Sequence, residues 1–260
     1  MAKIALVGCG WLGLPLAISL IEKGNFVVGT TTSSDKLEQL LISGIEAYVW
    51  SGSDMENETS LPFLENIDTL ILNIPPGKNT SNLSYSSVLE KLCSYIPEKT
   101  NVLLISTTSI YPDSIDLADE EYVWSDEDRS KETVQAEIKL TQVLNERLTV
   151  LRLAGLLGKD RHPIKHLSGK ENLSNGLSPV NLIHLNDVIG LIEMILNKKY
   201  WGKILNGCHP SHPTRMEYYT NAANRFNLQV PHFENNATIL KVVSSKKSMM
   251  DLGYTYSTEI

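Results

Sequence analysis

Residues 3–13 read KIALVGCGWLG, a short apolar run that passes directly into a glycine-rich turn. The apolar run over residues 3–7 predicts a buried β-strand, and the segment from Leu14 to Gly24 predicts a helix that stops at its glycine. A GxGxxG turn is weak evidence alone, but a strand before it and a helix after it are the context that dinucleotide binding requires. The opening residues therefore predict a nucleotide-binding α/β domain.

The three glycines of this turn have separate expected roles. Gly8 permits the tight turn, Gly10 lets the backbone approach a pyrophosphate, and Gly13 lets the helix pack closely on the strand. The N-terminus of the following helix adds unpaired N–H groups and the positive end of the helix dipole. We expect Gly8, Gly10, Trp11, Leu12 and Gly13 to form the cofactor site, with the side chains of Trp11 and Leu12 packing against protein. A purely structural glycine turn is the alternative.

Buried strands and helices alternate along the first half of the chain. Near-continuous apolar strands that alternate with helices indicate a parallel sheet covered on both faces. We therefore predict an α/β, Rossmann-type doubly wound sheet, with an NAD(P)-binding domain over residues 1–153. The predicted strands lie at 25–30, 46–50, 69–74, 101–106 and 149–153, and the predicted helices at 34–43, 82–96 and 128–146.

The pattern changes after residue 153, where prolines, histidines and asparagines become frequent and the predicted elements become short. Helices are predicted at 186–197 and 214–227, and short strands near 181–184 and 203–208. No linker-like segment precedes this part. We therefore predict a smaller substrate lobe over residues 154–260, continuous with the first domain.

The composition excludes several classes of protein. The 260 residues carry a net charge of −7, which disfavours nucleic acid and anionic membranes as partners. No apolar run approaches the roughly 20 residues that span a bilayer, and the N-terminus fits a strand better than a signal peptide, so we expect a cytoplasmic protein. Three dispersed cysteines without a CxxC pair predict neither disulfides nor a zinc site. The oligomeric state stays open, a homodimer included.

The end of the second predicted strand decides which dinucleotide is preferred. An NAD-specific site carries an acidic residue about 20 residues after the glycine turn, where it binds the ribose 2′-hydroxyl. Here Thr31, Thr32 and Ser33 stand at that place, Lys36 follows, and Asp35 is more simply a helix-cap residue. Hydroxyls and an ammonium suit a 2′-phosphate, so we expect NADP to be preferred over NAD. The predicted cofactor site is completed by Asn73, Pro75 and Ser106, which follow or end two other predicted strands.

Residues 106–112, Ser-Thr-Thr-Ser-Ile-Tyr-Pro, place a hydroxyl-rich turn after a buried strand. The segment resembles the Ser-Ser/Thr-x-x-Val-Tyr-Gly motif of the extended short-chain dehydrogenases/reductases, the NAD(P)-dependent epimerase/dehydratase group. Residues 151–158, 179–188 and 246–254 resemble three further motifs of that group. The Gly-Cys-Gly-Trp-Leu-Gly start, Arg161-His162-Pro163 and residues 212–219 resemble an atypical bacterial branch, the YeeZ-like proteins. The resemblance covers essentially the whole chain and implies a Rossmann fold with a small C-terminal substrate lobe.

The resemblance also implies a catalytic Tyr-x-x-x-Lys pair, which this chain lacks. In the family the tyrosine moves the proton that accompanies hydride transfer, while the lysine lowers its pKa and holds the nicotinamide ribose. The family has a glutamate eight residues after the tyrosine, and Glu137 resembles it. That count puts Arg129 at the tyrosine position and Thr133 at the lysine position.

Two hydroxyl side chains remain as candidate catalytic residues. Counting back four residues from Tyr111 puts Thr107 at the family's Ser/Thr position, where it would hold a substrate hydroxyl or carbonyl. Tyr111 is the candidate acid in place of the missing tyrosine, and Tyr122 is the alternative. Tyr111 also fits a packed aromatic residue after the strand.

Arginines and histidines gather in the second part of the chain. Arg161, His162 and Arg215, together with Arg152 at a predicted strand end, are candidate ligands for an anionic substrate. Helix capping and loop hydrogen bonds are the alternative role. The histidines have no metal-ligand spacing, so we expect no metal.

Two hypotheses follow for the function. The first is an NAD(P)-dependent oxidoreductase, epimerase or dehydratase that acts on a small, anionic or sugar-like compound with a non-standard proton donor. The second is a non-catalytic dinucleotide sensor or scaffold that has lost the catalytic pair. The missing tyrosine and lysine favour the sensor, and the arginines and histidines of the second part favour the enzyme.

Overall fold

The structure, a computed structural model, describes residues 1–52, 59–77, 83–158 and 160–260. Most of its strands are short and apolar, as the sequence pattern predicts. The strands are β1 (Lys3–Val7), β2 (Phe26–Thr31), β3 (Glu46–Val49), β4 (Thr69–Leu72), β5 (Asn101–Thr107), β6 (Leu117–Ala118), β7 (Leu148–Leu153), β8 (Gly155–Leu157), β9 (Leu182–His184), β10 (Ile204–Gly207) and β11 (Val242–Val243).

Helices follow most strands of the first half and recur in the second. Gly24 has a φ of +81°, and its N–H donates to the Ile21 carbonyl at 2.8 Å, so it ends the first helix as predicted. The helices are α1 (Gly13–Glu22), α2 (Leu37–Ile42), α3 (Tyr85–Ser94), α4 (Asp126–Arg129), α5 (Glu132–Leu144), α6 (Ile164–Leu167), α7 (Leu185–Lys198), α8 (Arg215–Arg225) and α9 (Lys246–Met250).

A seven-stranded sheet has the order β10-β7-β5-β4-β1-β2-β3. β1 pairs in parallel with β2 on one side and with β4 on the other. The chain therefore runs outward from β1 in one direction to β3, and then returns to build the other half of the sheet. The carboxyl end of β1 lies at this switch point, which is where open parallel sheets bind ligands. The fold confirms the predicted Rossmann-type α/β class.

The core forms because the central strands are apolar on both faces. All four residues of β4 and all six of β7 are buried. Leu70 and Leu72 of β4 share one hydrophobic cluster with Leu89 of α3 and Leu140 of α5. Each buried leucine contributes about 1.5–3 kcal/mol relative to an exposed one. This burial holds the covering helices against the sheet.

The chain divides into two compact units, each made of several segments. The predicted boundary after residue 153 lies beside one division point, between Arg152 and Leu153. The sequence pattern did not indicate that 111–123 belong to the second unit or 193–204 to the first, because such short segments carry no sign of the core they join. The first unit is Met1–Ile110, Trp124–Arg152 and Glu193–Ile204, and the second is Tyr111–Val123, Leu153–Ile192 and Leu205–Ile260.

The second unit contains two parallel strand pairs, β8 with β9 and β6 with β11. Its C-terminal tail is anchored on Asp187, a buried carboxylate. Asp187 accepts hydrogen bonds from the Tyr254 hydroxyl at 2.9 Å, the Ser257 N–H at 3.0 Å and the Thr258 N–H at 3.2 Å. The elements that the sequence missed here have two to five residues, too few to show a period.

One predicted element is wrong. The helix predicted over 128–146 is two helices, α4 and α5, because Lys131 adopts an extended conformation with φ −68° and ψ 130°. Ser125 and Asp128 form a capping box at the start of α4, which makes this short helix a separate unit. In the described ranges no helix combines the length and the apolar character needed to cross a membrane.

Candidate functional site

Two glycines of the first turn are required by close backbone contacts. Gly8 has a φ of +105°, and a Cβ placed on it would lie 2.5 Å from the Asn73 carbonyl oxygen. A Cβ on Gly13 would lie 2.1 Å from the Gly8 carbonyl oxygen. Neither position accepts a larger residue, because α1 begins directly against the backbone that leaves β1. These two glycines build the turn.

Gly10 differs, because a Cβ placed on it would meet nothing within 4 Å. No contact among the described residues requires a glycine there, whereas a phosphate brought close to the backbone would. The N-cap residue of α1, Leu12, makes no side-chain capping bond, and no acidic residue stands in the first turn of the helix. The turn therefore fits the pyrophosphate of a dinucleotide, with Gly10 facing the open space and the N-terminus of α1 beside it.

Neighbouring strands hold the turn in place. The Gly8 N–H donates to the Thr30 hydroxyl at 3.1 Å, and the Cys9 N–H donates to the Thr30 carbonyl at 2.8 Å. From the other side, the Asn73 side-chain amide donates to the Gly8 carbonyl at 2.9 Å. Asn73, a predicted cofactor ligand, thus shapes the turn directly.

The three cysteines are buried and free. Burial raises the pKa of the Cys9, Cys93 and Cys208 thiols to about 12, so they stay protonated at neutral pH. A Cβ placed on Gly29 would lie 2.5 Å from the Cys9 sulfur, which shows how tightly that thiol is packed. Within the ranges that the structure covers, no group of histidine, cysteine or acidic residues is arranged to hold a metal ion.

The end of β2 presents hydroxyl groups. Thr31 is buried, and its hydroxyl accepts a hydrogen bond from the Ser33 N–H at 3.3 Å. Thr32 and Lys36 are exposed, and Ser33 is partly exposed. A short 3₁₀ helix follows at Ser34–Lys36. Pro75, after β4, is also exposed.

The end of β5 carries two hydroxyls with different partners. Ser106 donates to the Glu137 carboxylate at 2.6 Å. Thr107 is partly exposed; its hydroxyl donates to the Ser109 hydroxyl at 3.1 Å and accepts from the Ser109 N–H at 3.2 Å. Both contacts of Thr107 lie within its own turn, so its oxygen keeps capacity for a further hydrogen bond.

A buried ion pair lies behind Ser106. Arg152 donates to the Glu137 carboxylate from Nε at 3.2 Å and from Nη2 at 2.7 Å, and the two residues are 1% and 3% exposed. The Trp124 ring lies 4.9 Å from the guanidinium carbon. This geometry gives Arg152 a role in the interior of the first unit, and its predicted substrate contact stays a prediction. The sequence did not indicate that Glu137 pairs with Arg152.

The positions assigned to the missing pair, Arg129 and Thr133, lie on α4 and α5 and not on one helix. Sequence reasoning missed Lys131, which lies between them. Its ammonium donates to the Ile110 carbonyl at 2.9 Å and pairs with Asp128 at 3.0 Å. Lys131 therefore ties the start of α5 to the turn that follows Thr107. No signal in the sequence pointed to this role, because the pattern over 128–146 predicts a continuous helix.

Tyr111 lies in the second unit and is 1% exposed. Its hydroxyl donates to the Asn206 side-chain oxygen at 2.9 Å, and its carbonyl accepts from Lys241 at 3.0 Å. The Tyr122 ring packs edge-on against it at 5.9 Å. Burial and these contacts describe a packed aromatic residue, and its role as an acid stays a prediction.

His162 is buried between aromatic rings, 5.7 Å from the Tyr218 centroid and 5.0 Å from that of Phe226. Its Nδ1 accepts from the Ile164 N–H at 3.2 Å, so Nε2 carries the proton and donates to the Tyr218 hydroxyl at 3.0 Å. Burial, with Arg225 and Lys165 nearby, lowers the His162 pKa to about 4. The imidazole is neutral at pH 7.

The remaining predicted substrate ligands are accessible. Arg161 is exposed, and its backbone pairs with Gly158 in an antiparallel bridge. Arg215 is partly exposed at the start of α8. Both residues belong to the second unit, as does His162.

Comparisons with known proteins agree with this geometry. Residues 3–122 match the family model described as the NAD binding domain of 6-phosphogluconate dehydrogenase. The protein YeeZ of Escherichia coli is 32% identical over 267 residues, which cover 98% of this chain and 96% of YeeZ.

Solved structures share the fold at low identity. A UDP-glucose 4-epimerase of Thermotoga maritima, in a structure with UDP-glucose, has a TM-score of 0.79 at 17% identity, covering 99% of this chain and 94% of its own. A UDP-glucuronic acid 4-epimerase of Bacillus cereus, in complex with NAD, has a TM-score of 0.77 at 17% identity, with 99% and 92% covered. At these identities the likeness shows the fold alone.

The glycine geometry predicts that substitutions at Gly10 and Gly13 affect different properties. The first should weaken dinucleotide binding, and the second should lower the stability of the fold. A Cβ on residue 10 meets nothing within 4 Å, so Gly10→Val should fold normally and bind NADPH at least about tenfold more weakly, about 1.4 kcal/mol. Gly13→Ala should instead lower the free energy of unfolding by about 1–3 kcal/mol, since its Cβ collides with backbone. Isothermal titration and urea unfolding measure the two effects. A folded Gly10→Val with unchanged NADPH affinity would place the dinucleotide elsewhere.

The lowered pKa of His162 predicts a pH-dependent stability. Between about pH 4 and 6.5 the unfolded chain binds a proton at this histidine and the folded chain does not, so stability falls as pH drops through that window. His162→Gln should flatten the fall, measured as the slope of the free energy of unfolding against pH. His232→Gln, which changes an exposed histidine of the same unit, is the matched control. Equal slopes in wild type and His162→Gln would contradict the assignment.

Proposed function

This chain belongs to the family of the Escherichia coli protein YeeZ, and from that premise we propose that it is an NAD(P)-dependent oxidoreductase of the epimerase/dehydratase type. The observation that carries the proposal is Gly10, a glycine that the protein's own packing does not require, at the carboxyl end of β1. Open space at this position suits the close approach of a dinucleotide pyrophosphate to the backbone. The match of residues 3–122 to an NAD-binding domain supports the same conclusion.

We propose that the cofactor is held by the glycine turn, by the hydroxyls after β2 and by residues at the ends of β4 and β5. The exposed Thr32 and Lys36 and the partly exposed Ser33 suit the 2′-phosphate of NADP. No acidic residue stands at 29–34 to repel that phosphate. When bound, the nicotinamide supplies or accepts a hydride. The residues assigned to the cofactor are Gly8, Gly10, Trp11, Leu12, Gly13, Thr31, Thr32, Ser33, Lys36, Asn73, Pro75 and Ser106.

Thr107 is the proposed catalytic residue for the substrate. Its hydroxyl is partly exposed at the end of β5 and keeps hydrogen-bonding capacity beyond its own turn. It would hold the hydroxyl or carbonyl that reacts. Lys131, bonded to the Ile110 carbonyl, would position this turn without touching the reacting atoms. Water or an unassigned side chain would move the proton.

The substrate class proposed is a small, sugar-like compound. Solved proteins of the same fold are described as a UDP-glucose 4-epimerase and a UDP-glucuronic acid 4-epimerase, which supports testing nucleotide sugars first. Arg161, His162 and Arg215 remain proposed substrate ligands, whereas Arg152 is engaged with Glu137.

A sensor or scaffold is the second candidate. The observation that favours it is the engagement of Tyr111, buried and bonded to Asn206, together with the absence of a tyrosine and a lysine at 129 and 133. Both candidates bind dinucleotide, so binding alone does not separate them. Turnover does.

NADPH should bind more tightly than NADH because of the residues after β2. Lys36→Gln should reduce this preference by weakening NADPH binding, while NADH affinity, measured on the same variant, stays unchanged. Isothermal titration of both cofactors against wild type and variant gives the four constants needed. A wild-type preference for NADH of tenfold or more, about 1.4 kcal/mol, would refute the NADP assignment.

Turnover of nucleotide sugars should be slow, because general acid/base catalysis is typically worth about 10² to 10⁴ in rate and the usual acid is missing. Thr107→Ala should lower the rate further, whereas Arg129→Ala should change it less. Ser109→Ala is the matched control, because it disturbs the same turn without removing the Thr107 hydroxyl. Over a panel of UDP- and dTDP-sugars, nicotinamide absorbance measures net oxidation or reduction, and chromatography of the sugar products measures epimerisation and dehydration, which return the hydride and leave the absorbance unchanged. Rapid turnover that persists in Thr107→Ala would contradict the assignment of Thr107 as the catalytic residue.

A further inference from the structure

Among the described residues of the second unit, two buried polar atoms have no hydrogen-bond partner: the Ser178 hydroxyl oxygen and the Arg215 Nε. Leaving a buried donor or acceptor unpaired costs about 1–3 kcal/mol, and more for a charged group. Folded proteins rarely leave such groups unsatisfied, and those that remain call for an explanation. Here two of them occur close together.

The backbone brings the two residues side by side. Pro179 and Thr214 form an antiparallel bridge, and the Arg215 N–H donates to the Ser178 carbonyl at 2.9 Å. Residues directly opposite each other in an antiparallel pair have Cβ atoms about 4.5–5.5 Å apart and share one face. Ser178 and Arg215 flank the bridge as such a pair. The two side chains that carry the unpaired groups therefore start from neighbouring positions on one face.

The guanidinium of Arg215 lies against aromatic rings. Its central carbon lies 5.6 Å from the Phe233 centroid and 6.0 Å from that of Tyr219, and these two rings stack on each other at 5.9 Å. Among the described residues no carboxylate lies within ion-pair distance of Arg215. Glu217, two residues on, uses its carboxylate to cap Thr214. These aromatic contacts leave the N–H groups at the edge of the guanidinium available to bind an anion.

We propose that Ser178 and Arg215 form a binding site for an oxyanion, a carboxylate or phosphoryl group carried by the substrate of the proposed reaction. This inference rests on the proposed function only because it names the substrate of that reaction as the molecule that carries the oxyanion. A guanidinium presents paired N–H donors that match an oxyanion, and a serine hydroxyl adds one more donor. Arg215 is partly exposed, so the pair is not sealed in the core. A single bridging water is the competing occupant.

The test uses the whole chain and two defined probes, inorganic phosphate and malonate, in isothermal titration. Wild type should bind at least one probe saturably at one site. Arg215→Leu, which keeps an apolar stem against Phe233 and Tyr219, should bind it at least tenfold more weakly. Ser178→Ala should also bind it more weakly. Arg225→Leu is the matched control and should be unchanged, since Arg225 lies on the same helix, is exposed and contacts the Phe226 ring at 5.4 Å.

Three outcomes would overturn the proposal. The first is no saturable binding of either probe to wild type. The second is equal weakening in Arg215→Leu and Arg225→Leu. The third is a Ser178→Ala variant that is more stable in urea and keeps full affinity for the probes, which would identify the Ser178 hydroxyl as an unsatisfied structural group that does not bind the anion. If Arg215→Leu does not fold, Arg215→Lys takes its place, because it keeps the charge and removes the paired donors.

NADPH titration of the same variants separates this inference from the proposed function. Normal NADPH affinity in Arg215→Leu, together with lost probe binding, supports both. Wild type that binds phosphate or malonate through Arg215 and does not bind NADPH or NADH overturns the proposed function while the oxyanion site stands.

Discussion

The close approach of Gly13 to the Gly8 carbonyl is the constraint on which the rest of the first unit depends. No side chain fits between the first residue of α1 and the end of β1. The helix is therefore seated with its N-terminus at the carboxyl end of the central strand. Thr30 of β2 and Asn73 after β4 bond to Gly8, so the strands that flank β1 also hold the turn.

A buried ion pair joins α5, β5 and β7 in the first unit. Glu137 of α5 accepts from Arg152 of β7 and from Ser106 of β5, so one carboxylate joins a helix and two strands. Removing one partner of such a pair typically costs about 3–5 kcal/mol, because the other charge is left buried. At the helix break, Lys131 pairs with Asp128 and donates to the Ile110 carbonyl, which joins the start of α5 to the turn after Thr107.

The polar side chains described in the second unit differ in whether their buried atoms have hydrogen-bond partners. Asp187, His162 and Tyr111 form hydrogen bonds with other side chains of the unit. Ser178 and Arg215 have unpaired buried atoms, and so they are the part of this unit that a ligand can explain. The distinction matters because histidines and arginines look alike in a sequence whether they stabilise a fold or bind a substrate.

The sequence by itself determined the strand–turn–helix of residues 3–24, the alternation of the first half and hence the Rossmann-type sheet. These features depend on apolar periodicity and on glycines whose roles are local. Only the tertiary structure decided that Arg152 pairs with Glu137, that Tyr111 is buried against Asn206, and that Lys131 interrupts the helix predicted over 128–146. Each depends on a contact between residues 15 to 95 positions apart, or on a backbone turn that such contacts stabilise. A periodic pattern carries no record of which distant partner a polar side chain will meet.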